Sequence, residues 1–175
     1  MKWAIALALL AVPAAAQAEV VGSAANGLEV RHVVQIVMPP ERTFDAFTHI
    51  SQWWNKEHTY SGDSANLSLS TTPGGCFCER FPNGGGIEHL HVAYVEPGER
   101  LVLTGSLGPL LYLATSGVMD IRVERIAGGS RLTLDYRVAG FAGGGADKLA
   151  PQVDQMLGDQ LARFRKYAAA TPQTR

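Results

Sequence analysis

The sequence predicts an α+β domain in which a curved antiparallel sheet wraps around one long C-terminal helix, with two short helices after the first strand. Three observations carry this. Strand-like runs follow one another with only tight turns between them, and successive hairpins make an antiparallel sheet. The apolar period lengthens from two to the helical value at residues 39–50 and again from residue 149. The second lengthening is a single long stripe at the end of the chain, which must bury on the sheet.

Residues 1–18, MKWAIALALLAVPAAAQA, hold one lysine, an apolar run from Trp3 to Val12, and small residues closing in Ala16-Gln17-Ala18. That is the pattern of a secretory signal peptide cleaved after Ala18, and its apolar run is short for a bilayer. A periplasmic or secreted protein is expected. Residues 19–27 read as an extension, 28–170 as one domain and 171–175 as a tail.

Residues 28–38, LEVRHVVQIVM, are β-branched enough for a strand, but Leu28, Val30, Val33 and Ile36 break strict alternation. A bulge or burial on both faces would account for that. In PPERTFDAFTHI, Phe44, Phe47 and Ile50 recur at a spacing of three behind two prolines, which suit a first helical turn. Residues 55–65 are polar and turn-rich. Strands are expected at 66–72, 75–81, 86–97, 100–106, 115–126 and 130–138, with Asn83-Gly84 the strongest hairpin signal. Gly105, Gly108 and Pro109 bend the chain before Leu110, Leu111 and Tyr112, which read as a lid, a pocket rim or ordinary core. The last helix carries Leu149, Val153, Met156, Leu157, Gln160, Leu161 and Phe164 on one stripe. Gly158 in its middle costs about 1 kcal/mol against alanine, a cost that makes sense where helix and sheet approach closely.

The chain has 15 basic and 16 acidic residues, a net charge of −1, and no basic run. Nucleic acid is a poor partner for such a surface, because that binding rests on phosphate neutralisation. No second apolar stretch approaches spanning length, so the cleaved chain is not expected to be an integral membrane protein. The length suits one core burying roughly 70% of the unfolded chain's surface. Two cysteines are too few for a disulfide-built scaffold, although export would let a disulfide persist.

PPERTFDAFTHISQWW, PGGCFCERF, HVAYVEPGERLVLTG with LGPL, and SRLTLDYRVAGF ahead of the last helix resemble the START/polyketide-cyclase (SRPBCC) superfamily. Within it they resemble the subgroup named for its likeness to the activator of a heat-shock-protein ATPase. The resemblance covers about residues 28–168. It implies the helix-grip fold, with a deep, largely apolar cavity between sheet and terminal helix. It says little about activity, because the superfamily includes carriers, receptors, cyclases and hydratases. The co-chaperone role transfers badly to an exported chain, so no chaperone partner is expected.

The stretch GGCFCERFPNGGGIEHLH holds both cysteines. With Asn83-Gly84 as a two-residue turn, Cys78 falls opposite His89 and Cys76 opposite His91, and all four side chains project from one face. Four such donors suit zinc or copper, although a flat rectangle must bend to give a tetrahedron. A one-residue slip would send both histidines to the other face. A Cys76–Cys78 disulfide is a second option, at the far end of reach if the strand is extended, with Cα atoms about 6.5 Å apart. The third is structural: cysteines packed as small hydrophobes and histidines hydrogen-bonded in a cavity wall. In the same register Glu79 and Glu88 would be cross-strand neighbours on the opposite face, able to share a proton if buried.

Trp53, Trp54, His58 and Tyr60 crowd one loop, either as a cavity mouth or as a hydrophobic plug. The leading expectation is a protein holding a small, mostly apolar molecule. Trp53, Trp54, His58, Tyr60, Cys76, Cys78, His89, His91, Leu111 and Tyr112 would line or gate its site. An acid–base enzyme using His58, Glu79 or His89 is the alternative, and a metal or thiol-redox protein the third. No cofactor is expected apart from zinc or copper in that third reading.

Overall fold

The computed structural model describes residues 17–172. The strands are β1 (Gln17–Ala24), β2 (Gly27–Ile36), β3 (Leu67–Leu69), β4 (Cys76–Arg80), β5 (Gly86–Glu96), β6 (Arg100–Gly105), β7 (Thr115–Ile126) and β8 (Gly129–Gly140). Helix α1 (Pro40–Thr48) follows β2, and α2 (Ala150–Ala170) follows β8. Short 3₁₀ turns occupy Ile50–Gln52, Lys56–His58, Ser64–Asn66, Gly108–Leu113 and Ala146–Lys148. All eight strands form one antiparallel sheet in the order β1-β2-β8-β7-β6-β5-β4-β3. The chain thus lays down a hairpin, crosses through α1 to the far edge, and returns as a meander whose last strand joins β2. The signal-peptide reading falls mainly on residues 1–16, outside the described residues. The residues read as an extension supply most of β1, which pairs with β2 through a bulge between Val20 and Gly22.

Strand β2 alternates cleanly, with Leu28, Val30, His32, Val34 and Ile36 facing inward, and its register with β8 is unbroken. The break in alternation seen in the sequence is therefore neither a bulge nor two-sided burial. It arises because the inward residue between Val30 and Val34 is a histidine. His32 meets α2 at Gly158, where an added Cβ would lie 3.2 Å from the imidazole Cε1. The glycine is what lets ring and helix approach.

Helix α1 starts on Pro40 and buries Phe44 and Phe47. Its Thr43 hydroxyl meets the Ser130 hydroxyl of β8 at 2.7 Å, so neither is left unpaired in the core. Helix α2 lays Val153, Leu157, Gln160, Leu161 and Phe164 against the inner face. Aromatic rings link helix to sheet: Phe164 to Trp53 at 5.3 Å, Trp53 to Trp54 at 5.7 Å, Trp54 to Phe77 at 5.2 Å, and Phe77 to His89 at 4.7 Å between centroids. These rings fill the middle of the grip. The void left there, between Phe47, Trp53, Phe77 and Leu157, is only about 10 Å³. The expected hollow between sheet and helix is thus solid at its centre. Open volume lies instead at the end closed by residues 107–113.

The outer face carries a charged ladder. Arg31 of β2 and Arg122 of β7 both pair with Asp135 of β8, and Arg100 of β6 forks onto Asp120 of β7 with two bonds of 2.9 Å. The Asp135 side chain is fully covered by its partners.

Candidate functional site

Helix α2, the 54–60 loop and the 107–113 segment enclose a two-lobed cleft. One lobe, about 240 Å³, is bounded by Trp54, His58, Tyr60, His89, Leu107 and Met156, among others. The other, about 250 Å³, is bounded by His58, Leu107, Leu110, Leu113, Tyr136 and Met156, among others. His58, Leu107, Pro109 and Met156 belong to both, so the lobes adjoin. Most of this wall is hydrocarbon or aromatic, with a few polar groups at fixed places, the usual build of a small-molecule site.

Several of these polar groups are held by named partners. Gln160, buried on α2, accepts the Asn55 backbone N–H with its Oε1 at 2.8 Å. That fixes the amide, so its Nε2 donates to His58 Nδ1 at 2.7 Å. His58 is thereby the Nε2–H tautomer. The Trp54 indole N–H donates to the His58 carbonyl at 3.0 Å, tying the loop to its own tryptophan. In the second lobe the Tyr136 hydroxyl accepts the Leu107 N–H at 2.9 Å. Burial pushes that phenol up to about 12, with the Leu107 N–H only partly opposing it.

The inner wall holds a buried acid–imidazole pair. Glu79 Oε2 lies 3.0 Å from His89 Nε2, and the two side chains are almost wholly covered. The same carboxylate accepts the Tyr60 N–H at 3.0 Å and the Ser61 N–H at 2.5 Å. Burial alone would raise the Glu79 carboxyl. Hydrogen bonds from Ser61, Tyr60 and His89 outweigh it and hold the group below its ordinary value. Burial lowers His89 in spite of Glu79. With Nε2–H given to Glu79, His89 Nδ1 is left as a lone-pair atom, buried and without a partner among the described residues. Tyr60 is the neighbour on the solvent side, 5.9 Å away between centroids. Its hydroxyl is raised first by partial burial and then by Tyr112, which reaches it from the 107–113 segment.

The hairpin differs from the expected register. Cys76 does face His91, but Cys78 faces Glu88, because a bulge inserts His89 as an extra residue in β5. The bulge turns His89 inward beside Leu90. The rectangle of two cysteines and two histidines is therefore split: Cys76, Cys78 and His91 sit on the outer face and His89 on the inner. Glu79 and Glu88 are likewise separated, the first buried and the second half exposed. Cys76 and Cys78 are joined in a disulfide with Cα atoms 5.4 Å apart. That is closer than a fully extended strand allows, and the register shift falls at this point.

Of the other expected residues, Trp54, His58 and Tyr60 line the cleft. Trp53 is a core residue, its indole N–H bonded to the Phe47 carbonyl at 3.2 Å. Leu111 and Tyr112 are exposed, with Tyr112 reaching only the Tyr60 hydroxyl, and Leu110 and Leu113 form the wall. The 3₁₀ geometry explains this, since residues three apart share a face. The spacing Leu107, Leu110, Leu113 was the available signal. Gln160 was signalled too, as the one polar residue on the buried stripe of α2.

No family model matches the chain, and no curated protein matches it. Among solved structures it is similar to an uncharacterized protein from Rhizobium leguminosarum, at 18% identity and a TM-score of 0.60, over 90% of this chain and 99% of that one. It is similar to a Chromobacterium violaceum protein at 18% identity and a TM-score of 0.58, over 82% and 98%. A protein of the dynemicin biosynthetic locus matches at 21% identity and a TM-score of 0.58, over 81% of this chain and 47% of that one. At these identities the likeness concerns the fold alone. It is consistent with the polyketide-cyclase-like helix grip that the sequence resembles.

Proposed function

We propose that this chain is an exported small-molecule-binding protein of the START/polyketide-cyclase superfamily, in the subgroup related to the heat-shock-protein ATPase activator. It holds a mostly apolar ligand in the cleft under residues 107–113. The observation that supports this best is the cleft itself: two adjoining lobes of about 240 and 250 Å³ with largely apolar walls. Each lobe is below the roughly 300–1,000 Å³ of drug-sized sites, so the ligand is small or extends across both. Similarity to a fold from a biosynthetic locus accords with a small organic ligand. Titration with a fluorescent naphthylamine probe tests the reading. Saturable one-site binding is expected, weakened about tenfold or more in Met156→Trp, whose indole intrudes where the two lobes adjoin. Unsaturable binding, or equal binding by the variant, contradicts it.

A second reading, acid–base catalysis, is favoured by one observation. Glu79 fixes His89 through Nε2 and, among the described residues, leaves Nδ1 without a partner beside the cleft. A carboxylate orienting an imidazole in this way makes the second nitrogen a general base. Tyr60 must move for a substrate to reach it. Turnover of a bound ligand that is lost in Glu79→Gln while ligand affinity persists would establish catalysis. Ligand recovered unchanged from wild-type protein leaves the carrier reading standing.

A further inference from the structure

The disulfide lies on the outer face of the sheet, away from the cleft, among groups that hydrogen bonding leaves otherwise unused. Opposite Cys78 is Glu88, and opposite Cys76 is His91. The Glu88 carboxylate and the two sulfurs place donor atoms within 4.8 Å of one another. His91 Nδ1 is 3.3 Å from Glu88 Oε1, both side chains about half exposed, and neither makes another side-chain hydrogen bond among the described residues. The β5 bulge is responsible. It removes His89 to the interior and brings Glu88 level with Cys78, so four donors share one patch.

We propose that reduction of the Cys76–Cys78 disulfide opens a surface site for a thiophilic divalent cation, zinc above all, made of both thiolates, Glu88 and His91. A dithiol reductant supplies two electrons and two protons. Its own sulfurs join in a disulfide, the Cys76–Cys78 bond breaks, and two thiols form. The cation then binds both sulfurs and releases their two protons to solvent. The carboxylate and a ring nitrogen of His91 complete four-coordination. Two sulfurs bound at about 2.3 Å in a tetrahedron stand about 3.8 Å apart, a separation that side-chain rotation supplies without moving the strand. Thiolate, imidazole and carboxylate donors in this number suit zinc. In the disulfide state the two strongest donors are absent, so the site is masked by oxidation. It does not depend on what the cleft binds.

The test is anaerobic titration of the full chain with cobalt(II) and zinc(II), oxidised and after reduction with a phosphine. Reduced protein is expected to take up one equivalent, with a thiolate-to-cobalt charge-transfer band and two protons released per ion. Oxidised protein should bind at least a hundredfold more weakly. Cys78→Ser should abolish the band. Glu88→Gln and His91→Ala, both surface changes that leave the fold intact, should each weaken binding about tenfold or more. His49→Ala, an exposed histidine outside the patch, should change nothing. Equal binding by oxidised protein overturns the proposal. So does absence of binding after reduction, or reduced binding indifferent to both Glu88→Gln and His91→Ala.

Discussion

Glu79 shows how one residue sets the local chemistry. It is a fully buried charge that accepts three N–H donors, from Tyr60, Ser61 and His89. Glu79→Gln keeps the shape but turns an amide N–H₂ toward a donor. Urea denaturation near neutral pH should show a loss of about 2–3 kcal/mol. The same group links stability to pH. Its native-state value lies below the ordinary 4.5, so the unfolded chain takes up the proton first and stability is lost as pH falls below 4.5. His32 and His89 are lowered by burial, His32 against the pull of Asp154 and His89 against that of Glu79. Below 6.5 the unfolded chain binds protons that the native chain refuses, so their contribution also fades on acidification. Denaturation midpoints measured from about pH 7.5 to about pH 4 should therefore fall on acidification, beginning near 6.5. A midpoint that rises as pH drops through 6.5 would contradict these assignments.

At the scale of elements, the succession of strands from β2 to β8 and both helices were legible because their apolar periods are regular and their turns carry glycine or proline. The six-strand meander from β3 to β8 and the long α2 follow directly from that pattern. What was not legible were departures from the period. One extra residue in β5 moves His89 across the sheet, and no composition signal marks a bulge in EHLH. β1 has a mixed polar and apolar sequence, and its partner strand rather than its own pattern defines it. The contact of α2 with β2 was foreshadowed by Gly158. Gly158→Ala gains about 1 kcal/mol in helix propensity, but its Cβ presses on the His32 ring at 3.2 Å, so no net stabilisation is expected. Gly158→Leu should cost about 1–3 kcal/mol by overpacking, read as a lower melting temperature. On the outer face, Asp135→Asn takes the charge from beneath Arg31 and Arg122 and should cost about 2–3 kcal/mol. A denaturant midpoint unchanged in Gly158→Leu or in Asp135→Asn would show that these contacts are not energetically coupled to the fold.

For the whole molecule, the grip is solid where the sequence led one to expect a hollow. The row of rings from Phe164 through Trp53 and Trp54 to Phe77 and His89 occupies the centre and ends at the cleft wall. Trp53→Ala should therefore cost about 3–5 kcal/mol and loosen the cleft with the core. The open cleft lies at the end where the 54–60 loop, residues 107–113 and α2 meet. Among the described residues no helix is long and apolar enough to cross a membrane. Native mass spectrometry of the chain purified from exporting cells, beside Met156→Trp, measures the central claim most directly. One small organic molecule carried by the wild type and absent from the variant is the predicted result. Wild-type protein that is ligand-free and gains no mass from a panel of small apolar compounds would contradict it.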